Sequence, residues 1–259
     1  MEKYRNKFSP IKGIVVFIIF MAIYFVAGPT IRAIQGTLGI PWDTITQLII
    51  LFVAILAPII LKQDLRLVFP IKIPKLREIF GTILIWIGTF LIVMTYQFVV
   101  YFFQEDRLNV ANDLNIDITN VPFIVAVIMV AICEEALHRG FILANFKPIK
   151  NKFIIVVCMG IIFGIFHTNI YSFLPTAILG GVLSYIMLET DNMIFPILLH
   201  FIHNFITVAI FSLVGADFIV IILKDQILLT MGSFLTIGFF VPILLYLGSR
   251  LLKSNKEKN

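Results

Sequence analysis

Charged residues and cysteines are scarce in this chain. Only 14% of its 259 residues are charged, whereas 60% are hydrophobic and the mean hydropathy is +1.03. A soluble domain with this balance would expose too much apolar surface. The two cysteines, Cys133 and Cys158, lie inside apolar runs, so we interpret them as reduced packing residues and not as a disulfide framework. The formal charge is +5, but the basic residues lie at the ends of apolar runs, which does not indicate binding of nucleic acid.

Long apolar runs dominate the chain instead. A hydrocarbon core of about 30 Å needs roughly 20 apolar residues per helix, and the sequence contains eight such runs. They predict an all-α, polytopic membrane bundle of about eight helices. The first run is too long for a signal peptide and lacks a convincing cleavage site, so we interpret it as a retained span. The eight runs lie at about 13–31, 44–61, 79–103, 121–143, 153–170, 173–188, 193–214 and 227–251.

The distribution of lysine and arginine predicts the orientation. Sixteen of these residues would lie on one side of the membrane and three on the other, while Arg139 falls inside a span. The excess of positive charge marks the cytoplasmic side, so both termini are expected in the cytoplasm. A composition rich in Ile, Phe, Lys and Asn is typical of a low-GC bacterium, which predicts a multi-pass protein of a bacterial cell membrane.

The fourth run contains two carboxylates and a guanidinium, Glu134, Glu135 and Arg139. A charge at this depth costs about 2.5–3.5 kcal/mol by insertion scales, so each charged group needs a partner or an aqueous cavity. Glu135 and Arg139 are four residues apart and share a helix face, which predicts an ion pair. Glu134 points about 100° away. One acid is therefore interpreted as structural, and the other as free for chemistry.

All four histidines of the chain also fall inside predicted spans. At a rise of about 1.5 Å per residue, Glu134 lies ~20 Å and His167 ~22 Å from the inner ends of their spans. His200 and Asn204 lie ~12 Å and ~18 Å along a third span and share one face. Pro196, four residues before His200, is expected to disturb that helix and free a carbonyl. Three helices are thus predicted to deliver polar groups to overlapping depths.

These groups suit peptide hydrolysis. Glu134 could act as a general base for water, with His167 orienting that water or sharing its proton. His200 and Asn204 could donate hydrogen bonds to the developing oxyanion. A rival interpretation is a zinc site formed by Glu134, His167 and His200, although the chain contains no H-E-x-x-H sequence. A Cys133 nucleophile is a further alternative, but nothing nearby would activate its thiol as clearly.

The candidate residues belong to three short motifs, which are Glu134-Glu135-x-x-x-Arg139-Gly140, Phe163-Gly164-x-x-His167 and His200-Phe201-x-x-Asn204. These motifs resemble those of a known family, the CPBP (Abi) intramembrane proteases, which are relatives of the type II CAAX prenyl endopeptidase. The resemblance covers about residues 122–206, and the order and spacing of the motifs make it specific.

The resemblance implies an eight-helix fold and a glutamate-activated water, with no metal favoured and zinc as the alternative. It implies the following roles: Glu134 as base, His167 as its water-binding partner, His200 and Asn204 as the oxyanion site, and Glu135 with Arg139 as a supporting pair. His138 departs from the family pattern, where a large apolar residue usually precedes the arginine. His138 and His203 are therefore candidates for tuning the site.

The resemblance also suggests a division of the chain and a class of substrate. Residues 1–120 would hold three N-terminal helices, residues 121–215 the catalytic core, and residues 216–259 the last span and a basic tail. The substrate would be a membrane-associated protein or peptide, such as a bacteriocin or pheromone leader or a CAAX-like sequence. Two alternatives remain: a catalytically silent immunity or regulatory scaffold, and a transporter that uses the polar cluster as a relay. We see no internal repeat, which weakens the transporter interpretation.

Overall fold

The computed structural model describes residues 7–38, 44–103, 120–224, 231–233 and 235–253. Within these ranges the chain is helical and contains no strand. A π-helical segment, Ala136–Ile142, joins the fifth helix to the sixth, and a second one, Thr236–Phe240, leads into the tenth. The helices are α1 Pro10–Leu38, α2 Thr44–Ile60, α3 Leu65–Val68, α4 Leu76–Phe103, α5 Val121–Glu135, α6 Leu143–Phe146, α7 Lys152–Phe166, α8 Ile170–Thr190, α9 Ile194–Lys224 and α10 Val241–Lys253.

Five of these helical stretches are long and apolar enough to cross a membrane. They are Pro10–Leu38, Leu76–Gln97, Val121–Phe146, Ile170–Thr190 and Met231–Lys253. Three further apolar helical stretches are shorter: Thr44–Ile60, Lys152–Phe166 and Ile194–Ile210. Each of the eight predicted runs therefore contains an apolar helix, and five of those helices reach the length of a span. The predicted start of the last run, residues 227–230, lies outside the described residues.

Two details of the predicted spans differ in the structure. The fifth run was predicted to continue to residue 170, but α7 ends at Phe166 because Thr168 takes a left-handed conformation with φ of 54°. The side chain of Asn169 then caps α8 by accepting a hydrogen bond from the Tyr171 N–H. Pro196 does not disturb α9, because it lies in the first turn, where backbone N–H groups have no partner within the helix. The expected disturbance of the helix at Pro196 was therefore wrong.

Helices α7 and α8 pack closely through glycines. A Cβ atom added at Gly160 would lie 2.6 Å from the Ala177 carbonyl oxygen, and one added at Gly180 would lie 2.6 Å from the Phe163 Cβ. Small residues let two helices approach in this way, and membrane bundles use them for that purpose. The G-x-x-x-G spacing of Gly160 and Gly164 thus faces α8, and this packing holds the end of α7 against the start of α8.

Polar contacts connect the helix ends on one side of the bundle, which we call the basic end. Lys72 and Lys147 both bind the carboxylate of Asp191 at 2.8 Å, and the Gln63 side chain donates to the Lys7 carbonyl at 3.1 Å. Helices α1, α4, α7 and α9 begin at this end, whereas α2, α6, α8 and α10 finish there. The opposite end of the bundle is called the far end below.

A buried amide holds three segments together at the basic end. The Asn145 Oδ1 accepts hydrogen bonds from the Gln63 side chain at 2.8 Å and from the Ser9 N–H at 3.2 Å. The Asn145 side chain also donates to the Phe141 carbonyl at 2.9 Å. Asn145 is fully buried. The start of α1, the residues after α2 and the π-helical segment are therefore fixed to one another.

Candidate active site

Glu135 is the centre of a buried polar network. Its Oε1 accepts a hydrogen bond from the Arg139 guanidinium at 2.6 Å and lies 2.7 Å from the Nδ1 of His200. The predicted ion pair between Glu135 and Arg139 is present in the structure. Arg139 also donates to the Gly180 carbonyl at 3.0 Å and lies 4.3 Å above the Phe163 ring. The guanidinium thus connects α5, α7 and α8, while the carboxylate also reaches α9.

Glu134 has a different environment from its neighbour. Its Oε1 accepts a hydrogen bond of 3.4 Å from the side chain of Gln47 on α2. Its Oε2 is buried and has no hydrogen-bond partner among the residues that the structure describes. The carboxylate makes no ion pair within these residues and faces a cavity. The Glu134 side chain lines this cavity but is only 6% exposed, so its accessible surface there is small.

The cavity has a volume of about 480 Å³ and is lined by α2, α4, α5, α7, α8 and α9. It brings together five of the side chains singled out from the sequence: Glu134, His167, His200, His203 and Asn204. A cavity of this size is within the usual range for ligand sites. Other polar residues of the lining are Gln47, Gln97, Ser172, Thr176 and Thr207.

Hydrogen bonds indicate which ring nitrogen of His167 and of His200 carries a proton. The Nδ1 of His167 lies 2.9 Å from the Phe163 carbonyl oxygen, which can only accept, so this nitrogen carries the proton. The Nδ1 of His200 lies beside the Glu135 carboxylate and likewise donates. Each neutral ring therefore keeps a lone pair on Nε2. In both histidines the second nitrogen can accept a proton or hold a water hydrogen.

The two candidate tuning residues occupy different places. His138 is fully buried and lies outside the cavity lining, with its ring centroid 4.9 Å from that of Phe163 and 4.8 Å from that of Phe166. Its Nδ1 donates to the backbone carbonyl of Glu134 at 2.8 Å. His203 lines the cavity, and its ring meets the Phe90 ring edge-on at 5.5 Å. Only His203 of this pair faces the space in which a substrate would lie.

Two glutamines in the cavity lining were missed by the analysis of the sequence. Gln47 lies on α2 and Gln97 on α4, and both precede the region that carries the three motifs. A lone amide within an otherwise apolar run is the signal that could have found them, because a buried amide needs a partner. The N-terminal helices therefore contribute polar groups to the site.

The zinc alternative was tested against the side chains present. The lone pairs on Nε2 of His167 and His200 would suit a metal ion, since ligating histidines usually donate their other N–H to a carbonyl or carboxylate. However, no three His, Cys, Asp or Glu side chains are spaced to hold a metal ion within the described part of the chain. The side chains as placed in this structure therefore do not fit a three-ligand metal site.

The chain was also compared with known proteins. Residues 118–206, roughly a third of the chain, match the model of the family described as type II CAAX prenyl endopeptidase Rce1-like. No curated protein and no solved structure matches the chain significantly. The matched region includes Glu134, His167, His200 and Asn204, whereas Gln47 lies outside it.

Proposed function

We propose that this chain is an intramembrane endopeptidase of the type II CAAX prenyl endopeptidase Rce1-like family and that it uses a glutamate-activated water; the match of residues 118–206 to the model of that family supports the proposal. One observation carries this proposal: Glu134, His167, His200 and Asn204 come from three different helical regions and line one cavity. Ionisable groups within membrane helices usually mark a functional site.

The nucleophile would be a water held between two acceptors. A carboxylate oxygen of Glu134 and the Nε2 of His167, both in the cavity lining, would each accept one hydrogen of this water. A lone pair of the water oxygen is then left for the carbonyl carbon of the scissile bond. As the C–O bond forms, the proton passes to Glu134. The Gln47 side chain, bonded to the other carboxylate oxygen, would keep the base oriented.

The oxyanion of the tetrahedral intermediate would be stabilised by Asn204 and His200. The Asn204 amide offers N–H donors directly. His200 already donates its Nδ1 proton to Glu135, so it can donate from Nε2 only when both ring nitrogens are protonated. Glu135 is the counter-ion that would stabilise this imidazolium. Collapse of the intermediate then breaks the C–N bond, and Glu134 returns its proton to the leaving amine.

The position of the protein in the membrane is part of the proposal. We place the eight apolar helices across a bacterial cell membrane with both termini and the basic end in the cytoplasm, because lysine and arginine accumulate there. Reporter fusions in the loops would test this topology. A reporter at the basic end, for example after Lys75, should be active only if it is a cytoplasmic reporter.

The substrate would be a membrane-associated peptide or protein, with a bacteriocin or pheromone leader as one class and a CAAX-like sequence as another. Comparing the membrane and secreted peptides of cells that carry wild-type protein or a Glu134→Gln variant would identify it. A peptide that accumulates uncut only in the variant cells is the expected result.

The central test is the Glu134→Gln variant itself. We expect it to insert and fold like the wild type, because Glu134 has no ion-pair partner among the described residues, and to lose cleavage completely. The control is Glu78→Gln, the same chemical change at the basic end and outside the cavity lining, where the Glu78 carboxylate accepts a hydrogen bond from the Lys75 N–H. Purified Glu134→Gln protein with wild-type turnover would refute the mechanism.

Two further outcomes separate the alternatives. If Glu134→Gln still complements the phenotype of a deletion strain, the fold acts as a silent immunity or regulatory scaffold and not as a peptidase. If chelators abolish cleavage and one equivalent of zinc per chain restores it, the zinc version of the protease is correct. Unchanged cleavage after chelator treatment supports the glutamate mechanism.

A further inference from the structure

The cavity lies on one side of the candidate catalytic residues only. Measured along α5 and its continuation from Phe146 at the basic end, Glu134 lies at about 18 Å and Phe123 at about 34 Å, using the usual helical rise. On α4, Val93 and Gln97 lie at about 25 Å and 31 Å from Leu76. All four residues line the cavity. The cavity therefore extends from Glu134 toward the far end of the bundle.

The other side of Glu134 is filled by a solid core. Between Glu134 and the basic end, the side chains of Leu137, Phe141, Ile142 and Leu143 have no exposed surface. Asn145 closes this core with its hydrogen bonds to the start of α1 and the residues after α2. Packed side chains of this kind leave no room for a water path. A substrate cannot reach Glu134 from the basic end without displacing this core.

The two ends of the bundle differ strongly in positive charge. Among the residues that the structure describes, twelve lysines and arginines lie at or next to the basic end, and two, Arg32 and Lys224, lie toward the far end. Positive charge accumulates on the cytoplasmic side of membrane proteins. The sealed end is thus the cytoplasmic one, and the end toward which the cavity extends faces out of the cell.

We propose that the peptidase site is reached from the extracytoplasmic side of the membrane, so that its substrate is an exported or outer-leaflet peptide and not a cytosolic C-terminal motif. This inference rests on the proposed peptidase function and on the orientation given above. It excludes the cytosolic CAAX-like class and selects the leader or exported-peptide class.

The walls of the cavity indicate the shape of that peptide. Phe123, Val127 and Val130 follow the same face of α5 as Glu134 and line the cavity, at the spacing of one helical stripe. This stripe is about 16 Å long, which matches roughly five residues of an extended chain. The peptide accordingly carries apolar side chains on the outer side of its scissile bond.

Cysteine accessibility tests the direction of access. In a background with Cys133→Ala and Cys158→Ala, Val127→Cys places a thiol in the cavity. Val125→Cys is the matched control, since Val125 lies on the same helix but is 56% exposed and outside the cavity lining. Lys75→Cys reports the basic end. Each variant is treated with a charged, membrane-impermeant thiol reagent, either in intact cells or in inverted vesicles.

We expect Val127→Cys to react in intact cells and not in inverted vesicles, Lys75→Cys to show the reverse, and Val125→Cys to react in neither. Reaction of Val127→Cys only in inverted vesicles would overturn the inference, as would its failure to react in both preparations. Reaction of Lys75→Cys in intact cells would show that the orientation itself is reversed.

The labelling result is independent of the proposed peptidase function, because labelling of a cysteine requires no cleavage of a peptide. The same measurement is repeated with Glu134→Gln present. Outward labelling with no cleavage of any peptide would leave the access route correct and the peptidase function wrong. Inward labelling combined with Glu134-dependent cleavage would leave the peptidase correct and the access route wrong.

Discussion

Replacing Glu135 by glutamine removes a carboxylate that two helices share. Its Oε1 lies 2.6 Å from the Arg139 guanidinium and 2.7 Å from the His200 ring, and the side chains of Glu135 and Arg139 have no exposed surface. Removing one partner of such a buried pair costs about 3–5 kcal/mol, because the other charge stays buried and uncompensated. For a chain of this size the melting temperature should fall by on the order of 10 °C.

A double variant separates stability from catalysis. Glu135→Met combined with Arg139→Met removes both charges, and replacement of a buried ion pair by apolar residues of similar volume is often neutral for stability. The Gly180 carbonyl, which loses Arg139 as donor, keeps the hydrogen bond from the Ser184 hydroxyl at 2.8 Å. Stability should therefore return nearly to that of the wild type. Activity should not return, because in the proposed mechanism His200 needs the Glu135 carboxylate as counter-ion to donate from Nε2.

Thermal unfolding in detergent and kcat on the identified peptide are the two measurements. Loss of one oxyanion donor typically lowers kcat about 10²–10³-fold, and we expect that loss in the single and the double variant alike. If the double variant recovers both stability and kcat, Glu135 serves folding alone and its role toward His200 is refuted. If the double variant is as unstable as Glu135→Gln, the reasoning from an uncompensated charge is wrong.

Three further changes test the site and its frame. Asn204→Ala should lower kcat about 10²–10³-fold with an unchanged melting temperature, and a parallel loss of stability would show that Asn204 only holds helices together. Gly160→Ala places a Cβ 2.6 Å from the Ala177 carbonyl oxygen and should cost about 1–3 kcal/mol by overpacking, whereas the control Gly36→Ala meets nothing within 4 Å and should not destabilise. Burial raises the pKa of Asp191, but two adjacent lysines lower it more, so the net pKa is below its ordinary value. The stabilisation from Asp191 is thus present above an unfolded pKa of about 3.9 and is lost as the pH falls through the folded pKa. Asp191→Asn should accordingly lower the melting temperature at neutral pH and leave it unchanged below both pKa values, and an equal effect at both pH values would contradict the charge argument.

Local periodicity made part of this structure predictable. Apolar runs of membrane length gave the positions of the helices, and a spacing of four residues gave the pair of Glu135 and Arg139. Shared depth along three spans predicted that polar side chains from separate helices would meet, and Glu134, His167 and His200 line one cavity. Each of these inferences depends only on residues within one helix or on distance from a helix end.

Contacts between distant parts of the chain were not predictable in the same way. The hydrogen bond from Gln47 to Glu134 joins residues 87 positions apart, and that between His200 and Glu135 joins residues 65 positions apart. Spacing gives the depth and face of a side chain, but not which neighbouring helix it meets. The π-helical segment Ala136–Ile142 was missed because it results from the packing around it and has no distinct residue pattern.

The different surroundings of Glu134 and Glu135 have a consequence for how the sequence can vary in evolution. One oxygen of Glu135 contacts both the Arg139 guanidinium and the His200 imidazole. A homologue that loses Glu135 therefore leaves Arg139 buried without its charge partner, and a smaller fraction of its molecules is folded. Glu134 has only a long contact with an amide, and its loss would leave a sound protein. We therefore expect homologues without peptidase activity to retain Glu135 and Arg139, whereas other residues replace Glu134.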